Sequence, residues 1–158
     1  MFYYTVNRHF EVRYPKDKNY AINVHEYFTS SDGGGGAEAP CIAPSVMLEA
    51  EKFNDFKKWL SQQESKGYHP KVFLSEVGGL VDKDANCKAD IDMFISAMEG
   101  IPYKENTKAG FIGWTAWAGG AAWGDEYVAN LSPTKTGRER ELMTTFSQHL
   151  TPPSLTAK

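Results

Sequence analysis

The sequence predicts an α/β fold built on a parallel sheet, and two observations support that prediction. Three short apolar runs typical of strands alternate with three segments in which apolar residues recur at helical spacing. The segments that join successive strands are longer than 10 residues, as parallel pairing requires. The stretches after the strands are long and those after the helices short. Since parallel α/β folds carry their sites at the carboxyl ends of the strands, a site is expected where the long stretches begin.

The first strand is predicted over Asn19 to Phe28, where aromatic and β-branched residues precede a predicted loop, Thr29 to Pro44. The Gly33 to Gly36 run in this loop lacks the Gly-Lys-Ser/Thr of a phosphate loop, so no phosphate-binding role is predicted for it. A long amphipathic helix is predicted from Ser45, and Gly67 is expected to end it. Its apolar stripe, with Trp59 assigned to the core, consists of Val46, Met47, Ala50, Phe53, Phe56, Trp59 and Leu60.

The second and third strand–helix units follow the same pattern. Lys71 to Ser75 is a short apolar run of the kind found in strands buried on both faces, and Gly110 to Trp117 is the third strand. The loop from Glu76 to Asn86 leads into the second helix. Thr136, with Glu139 three residues later, predicts a capping box for the last helix. The apolar residues of these two helices are Ile91, Phe94, Ile95 and Met98, then Leu142, Met143, Phe146 and Leu150.

Composition narrows the class of protein. A chain of 158 residues, 41% hydrophobic and 23% charged, is typical of one globular domain. The net charge of -3, with no run of Lys or Arg longer than a pair, argues against nucleic acid or an anionic membrane as the partner. The first thirty residues contain no apolar run that predicts a signal peptide or a membrane span. A neutral partner is therefore expected.

Polar and aromatic residues gather at the expected carboxyl ends of the strands. His25 and Tyr27 end the first strand and share a face, because they are two residues apart. Glu76 ends the second strand, where a carboxylate is costly unless it is paired or used. Trp114 and Trp117 lie near the end of the third. Each has an ordinary alternative: Glu76 caps a loop or pairs with a lysine, His25 is a core histidine, and the aromatic residues pack. Their convergence on one rim favours a site.

The cysteines and the remaining histidines give little sign of a metal or redox centre. Cys41 and Cys87 lack the short spacing of a zinc or redox motif, so a single disulfide and two unpaired thiols both remain open. His9, His69 and His149 have no partner at a recognisable metal spacing. Neither a metal nor a cofactor is predicted.

Three runs of the sequence resemble, in order and with fitting intervals, strands six, seven and eight of the endoglucanases of glycoside hydrolase family 5. The ordered set is specific, although each run alone is weak. The resemblance implies the C-terminal portion of a (β/α)8 TIM barrel, three parallel βα units over residues 19–150, with 1–18 unassigned and 151–158 a tail. The runs are Asn19 to Phe28 (NYAINVHEYF), Val72 to Gly79 (VFLSEVGG) and Gly110 to Trp114 (GFIGW).

The resemblance implies retaining hydrolysis of β-1,4-glucan. Glu76 matches the nucleophile, and His25 and Tyr27 match the pair that orders the hydrogen bonds of the active-site carboxylates. Trp114 matches a tryptophan that stacks on the sugar and is often followed by a cis peptide. In the next loop two further tryptophans either extend that platform or pack, and these are Trp117 and Trp123.

The resemblance also implies a disulfide between Cys41 and Cys87, and an extracellular parent family. The acid/base of the family belongs to an Asn-Glu-Pro turn that does not occur in this sequence. An unconventional acid such as Asp125 or Glu126, or no acid, is then expected.

Three functions remain open: a weakly active or inactive endo-β-1,4-glucanase-type hydrolase, a non-catalytic glucan-binding remnant, and a half-barrel that associates with itself or a complementary chain. The expected partner is a β-glucan polysaccharide or oligosaccharide.

Overall fold

The structure, a computed structural model, describes residues 20–28, 41, 51–78, 85–105, 107–127 and 129–150. In this part of the chain three strands alternate with three helices, which confirms the predicted α/β fold. The third strand has the predicted bounds, whereas the second continues past Ser75 to Gly78 and so includes Glu76. The elements are β1 (Ala21–Tyr27), α1 (Glu51–Ser65), β2 (Lys71–Gly78), α2 (Ala85–Glu99), β3 (Gly110–Trp117) and α3 (Glu141–Gln148). None of these helices is long and apolar enough to cross a membrane.

The sheet has the order β1-β2-β3, and both pairings are parallel, as predicted. Its register contains one irregularity that matters for the site. Val24 pairs with Leu74, but the next residue of β1, His25, pairs with Glu76, so Ser75 is an extra residue in β2. A bulge of this kind turns the following side chains to the opposite face. Strict alternation from the buried Leu74 would aim Glu76 at the helices, whereas the bulge aims it away from them.

The hydrophobic core lies between one face of the sheet and the helices. Val72, Leu74 and Val77 of β2 are fully buried on that face. Trp59 is 4% exposed, which confirms its assignment to the core. The helices contribute the remaining large side chains, which are Phe53, Phe56 and Leu60 of α1, Ile91, Phe94, Ile95 and Met98 of α2, and Leu142 and Phe146 of α3.

The first helix ends as the sequence predicts. Gly67 has a φ of 78°, which glycine adopts without steric cost, and it follows the last helical residue by two positions. Its N–H and that of Tyr68 donate to the carbonyls of Glu64 and Gln63 at 2.8 and 2.9 Å. The predicted start at Ser45 lies outside the described residues, as do the Gly33 to Gly36 run, segment 1–18 and tail 151–158.

The predicted capping box of the last helix is wrong. The side chain of Thr136 bonds that of Thr134 at 3.0 Å, and the Thr134 hydroxyl accepts from the N–H of Arg138 at 3.1 Å. These bonds form a turn instead of a helix start. The helix begins later, after Arg140, which has an extended backbone and makes no side-chain cap bond.

Candidate active site

Glu76 lies at the centre of a cluster formed by the carboxyl ends of β1 and β2. Tyr27 donates a short hydrogen bond from its hydroxyl to Oε2 of Glu76. His25 Nδ1 lies 3.2 Å from the same oxygen. The three side chains are half-buried, on the face that the bulge makes accessible. The structure therefore brings together the three residues that the sequence predicts as catalytic.

The hydrogen bonds of His25 indicate which ring nitrogen carries the proton. The side-chain amide of Asn23, on the same face of β1, lies 3.4 Å from Nε2 of His25. With that amide as donor, Nε2 accepts and Nδ1 carries the proton toward Glu76. Both donors then engage Oε2, and within the described part of the chain no hydrogen bond engages Oε1. The arrangement orients the carboxylate and leaves one oxygen open to an electrophile.

The phenol of Tyr27 is held in its protonated form. Partial burial, then the hydrogen bond to Glu76 and its negative charge, and last the nearby Tyr127, raise the pKa of Tyr27 above its usual range. A neutral Tyr27 donates a hydrogen bond, whereas an ionised one would repel the carboxylate. The pair can therefore persist across the neutral and mildly alkaline range.

This pKa shift predicts a contribution to alkaline stability. A pKa raised on folding stabilises the protein fully below the unfolded value of about 10, and that contribution is lost as the pH rises above it. We expect Tyr27→Phe to make the free energy of unfolding depend less steeply on pH above about 10. We also expect Glu76→Gln to lower the pKa of Tyr27, measured from phenolate absorbance. A Tyr27 that ionises with an ordinary pKa in the native protein would contradict this.

Three aromatic side chains, Trp117, Trp123 and Tyr127, form a second group that we call the aromatic cluster. The indole N–H of Trp117 donates to the hydroxyl of Tyr127 at 2.8 Å. The Trp117 and Trp123 rings meet edge to face with centroids 5.3 Å apart, and Trp123 stacks on Tyr127 at 4.4 Å. Tyr127 was not predicted as a site residue. Its only local signal in the sequence is that it closely follows the two predicted tryptophans.

The aromatic cluster adjoins Glu76 through the register of β2 and β3. Gly78, two residues after Glu76 on the same strand, pairs with Trp117. A Cβ built on Gly78 would lie 3.3 Å from that of Trp117, so the two positions share a face. Carboxylate and aromatic surface therefore form one contiguous site.

Trp114 does not belong to this site, and its predicted convergence with Glu76 is wrong. It pairs with the buried Leu74 and packs on Phe146 of α3, with ring centroids 5.6 Å apart. On that side it lines a cavity of about 250 Å³ with Met98 and Phe111. The cis peptide expected after Trp114 instead follows Trp117. The two tryptophans are three positions apart in β3, and an odd spacing places them on opposite faces.

Neither proposed substitute for the acid makes a described contact with Glu76. Asp125 accepts from the guanidinium of Arg140 at 2.9 Å and from the N–H of Lys135 at 3.3 Å, and the Arg140 side chain is 8% exposed. Asp125 therefore holds its own loop together. Glu126 is exposed and lies beside Gly124. Within the described residues Glu76 has a phenol and an imidazole as partners, and neither is a carboxylic acid.

Cys41 and Cys87 form a disulfide, as the resemblance implied, with their Cα atoms 5.2 Å apart. Cys87 belongs to the first turn of α2, and Cys41 belongs to the connection that follows β1. The bond therefore joins the chain after the strand of His25 and Tyr27 to the helix that follows the strand of Glu76.

The described residues contain no group of three or more His, Cys, Asp or Glu side chains arranged to hold a metal ion. Two of the histidines considered for a metal fall within these residues. His149 lies 3.0 Å from Asp92 and 3.7 Å from Glu99, which links the end of α3 to α2. His69 precedes β2, at the opposite end of the strand from Glu76.

Comparison with known proteins shows which proteins this chain is similar to. No profile of a known protein family matches the chain. The sequence is 30% identical over 120 residues to Endoglucanase 1 of Robillarda sp. (strain Y-20). The matched region covers 75% of this chain and 26% of that protein. The resemblance to endoglucanases is thereby confirmed. The chain spans about a quarter of this relative.

Two solved structures share the fold. An endo-β-1,4-glucanase of Xanthomonas axonopodis pv. citri is 26% identical with a TM-score of 0.63, covering 83% of this chain and 36% of its own. XacCel5A in complex with cellopentaose matches with the same identity and TM-score over 84% of this chain and 37% of its own. Both are nearly three times as long as the region that they share with this chain.

Proposed function

We propose that this chain, a relative of part of the endo-β-1,4-glucanases, forms the nucleophile side of a retaining glycosidase site and binds β-1,4-glucan there. The observation that supports this proposal best is the cluster at Glu76. One carboxylate oxygen accepts from Tyr27 and lies 3.2 Å from His25, while the other accepts no hydrogen bond from the residues that the structure describes. A carboxylate fixed in this way is oriented for attack on an anomeric carbon. Enzymatic activity on a natural glucan also requires an acid.

The proposed reaction is a displacement at the anomeric carbon. Oε1 of Glu76 forms a bond to C1 of the sugar while the bond from C1 to the leaving oxygen breaks, and the electron pair departs with that oxygen. An alkoxide of glucose leaves only if it is protonated. Retaining enzymes supply that proton from a second carboxyl group about 5 to 5.5 Å from the first. On this proposal the second carboxyl comes from a polypeptide region other than the residues described, which include no such partner for Glu76.

A leaving group that needs no proton tests the proposed nucleophile by itself. We expect 2,4-dinitrophenyl 2-deoxy-2-fluoro-β-cellobioside to attach one fluorocellobiosyl group to the protein and to release dinitrophenolate. Intact-mass spectrometry should detect the adduct, and peptide mapping should assign it to Glu76. The Glu76→Gln variant should form none, whereas Glu139→Gln, which alters an exposed carboxylate in a loop, should form the wild-type amount. Absence of an adduct, or an adduct that persists in Glu76→Gln, would refute the nucleophile.

Glucan binding without turnover is a second candidate, and the aromatic cluster favours it. Indole and phenol faces provide the apolar surface on which sugar rings stack. We expect Glu76→Gln to retain affinity for cellopentaose in calorimetry, and Trp117→Ala to raise its Kd about 10-fold, since the loss of a buried aromatic contact costs about 1.4 kcal/mol or more. Trp114→Ala is the control, because Trp114 faces the helices. Binding without an adduct would select this candidate.

A further inference from the structure

We propose that Asn130, a residue shielded from solvent and from any sugar, is a positioning residue for the aromatic cluster. Its side chain holds the peptide units that carry Trp123 and its neighbours, so the glucan surface depends on it. This inference rests on the proposed glucan binding for its ligand. Its spectroscopic test, however, needs no ligand.

The contacts of Asn130 are centred on the cluster. Its side-chain amide donates to the carbonyl of Trp123 at 3.1 Å and to that of Gly124 at 3.0 Å. Its side-chain oxygen accepts from the N–H of Ser132 at 2.8 Å. Its backbone N–H donates to the carbonyl of Tyr127 at 3.0 Å. One residue therefore contacts the backbone of two of the three aromatic residues and that of Ser132.

The burial of Asn130 makes these bonds consequential. The residue is 2% exposed, so water cannot replace a lost donor. The neighbouring backbone is anchored on the other side by the residue that follows β3, because Ala118 bonds Ala129 and Leu131 at 2.9 and 2.8 Å. Trp117 immediately precedes Ala118. The side chain of Asn130 thus fixes Trp123 relative to a segment that is already fixed relative to Trp117.

A second buried side chain holds a different part of the same loop. Arg140 donates to the carbonyl of Ser132 and to Asp125, both at 2.9 Å. None of the side-chain bonds described for Arg140 reaches an aromatic residue of the cluster. Arg140 therefore closes the outer part of the loop, and the position of the indole depends on Asn130.

Replacement of Asn130 by aspartate tests this role with little change in shape. Aspartate has nearly the same volume as asparagine but, when ionised, donates no hydrogen bond and directs charge at two carbonyl oxygens. When protonated it regains one O–H donor. Burial disfavours the ionised carboxylate, so the protonated form, which has the O–H donor, is favoured at mildly acidic pH. A positioning role thus predicts a defect at neutral pH that acid partly reverses.

The measurements are made on the purified wild type, Asn130→Asp and a control, Thr134→Ala, which removes two hydrogen bonds in the same loop at a residue with no described bond to the cluster. At pH 7 we expect Asn130→Asp to raise the Kd for cellopentaose at least about 10-fold and to diminish the circular-dichroism couplet of the indole pair, with far-ultraviolet helix signal retained. Toward about pH 5 the affinity for cellopentaose and the circular-dichroism couplet should both recover partly, and only in Asn130→Asp.

The outcomes separate this inference from the proposed function. Wild-type circular dichroism and affinity in Asn130→Asp at pH 7, or an equal loss in Thr134→Ala, would overturn the positioning role. A wild-type protein that does not bind cellopentaose would refute glucan binding, while the indole couplet would still decide the role of Asn130.

Should Asn130→Asp fail to fold, nuclear magnetic resonance of the wild type decides. The Asn130 side-chain amide protons should then exchange with solvent at least about 10-fold more slowly than those of the exposed Asn54. They should also shift when cellopentaose is added. Exchange as fast as that of Asn54 would overturn the proposal.

Discussion

A variant with alanine at both Cys41 and Cys87 is expected to lose about 4 kcal/mol of unfolding free energy, because the disulfide closes a loop of 46 residues. The bond removes chain entropy from the unfolded state, and the loss on breaking it grows with loop length. Alanine is the replacement because the two sulfurs are buried, at 6% and 0% exposure, and serine would add an unsatisfied hydroxyl. A domain with a total stability of about 5 to 15 kcal/mol would lose a large part of it.

Urea unfolding of the oxidised wild type, the reduced wild type and the double variant tests this prediction. The reduced wild type should match the double variant closely, and reductant should leave the double variant unchanged. A difference between oxidised wild type and double variant below about 1 kcal/mol would show that the unfolded chain gains little freedom when the bond is absent. Because the bond joins segments that follow β1 and β2, adduct formation at Glu76 should fall together with stability.

Gly78→Ala is expected to destabilise the protein by about 2 to 3 kcal/mol and to displace Trp117. A Cβ at Gly78 would lie 2.0 Å from the carbonyl oxygen of Trp117. That oxygen belongs to the backbone of the paired strand, so β2 and β3 must separate to admit the methyl group. Alanine restricts the unfolded chain more than glycine, so a net loss of stability measures the clash.

Gly119→Ala provides the matched control. The nearest atom to a Cβ at Gly119 is the hydroxyl oxygen of Ser132, at 3.6 Å, an ordinary contact. Its stability should remain within about 0.5 kcal/mol of the wild type. Urea unfolding gives both values, and near-ultraviolet circular dichroism reports the displacement of Trp117. Equal stability of the two variants would mean that the strands separate there at no cost.

The local pattern of the sequence predicted the order of the strands and helices. The alternation of strands and helices and the bounds of β3 follow from side-chain periodicity, which is a property of each segment. The end of α1 at Gly67 likewise follows from one residue. The capping box predicted at Thr136 does not form because a threonine hydroxyl can bond either the N-terminus of a helix or a neighbouring group in a turn. Here the Thr136 hydroxyl bonds that of Thr134 in a turn.

The sequence also identified His25, Tyr27 and Glu76 as neighbours, since parallel strands bring their carboxyl ends to one edge. It did not determine how Glu76 reaches their face. Ser75 becomes an extra residue only when β2 pairs with both neighbouring strands, and that pairing is a contact between distant parts of the chain. Alternation within β2 alone would have buried Glu76 among the helices.

The tertiary structure alone decided which tryptophan adjoins the site. Trp114 and Trp117 belong to the same strand and have the same chemistry, so composition and motif do not distinguish them. Phe146 of α3 packs on one, and the loop that Asn130 and Arg140 hold places Trp123 and Tyr127 against the other. Periodicity along a chain predicts its elements because each residue carries that information itself. The faces those elements present depend on partners distant in sequence, which only the folded chain brings together.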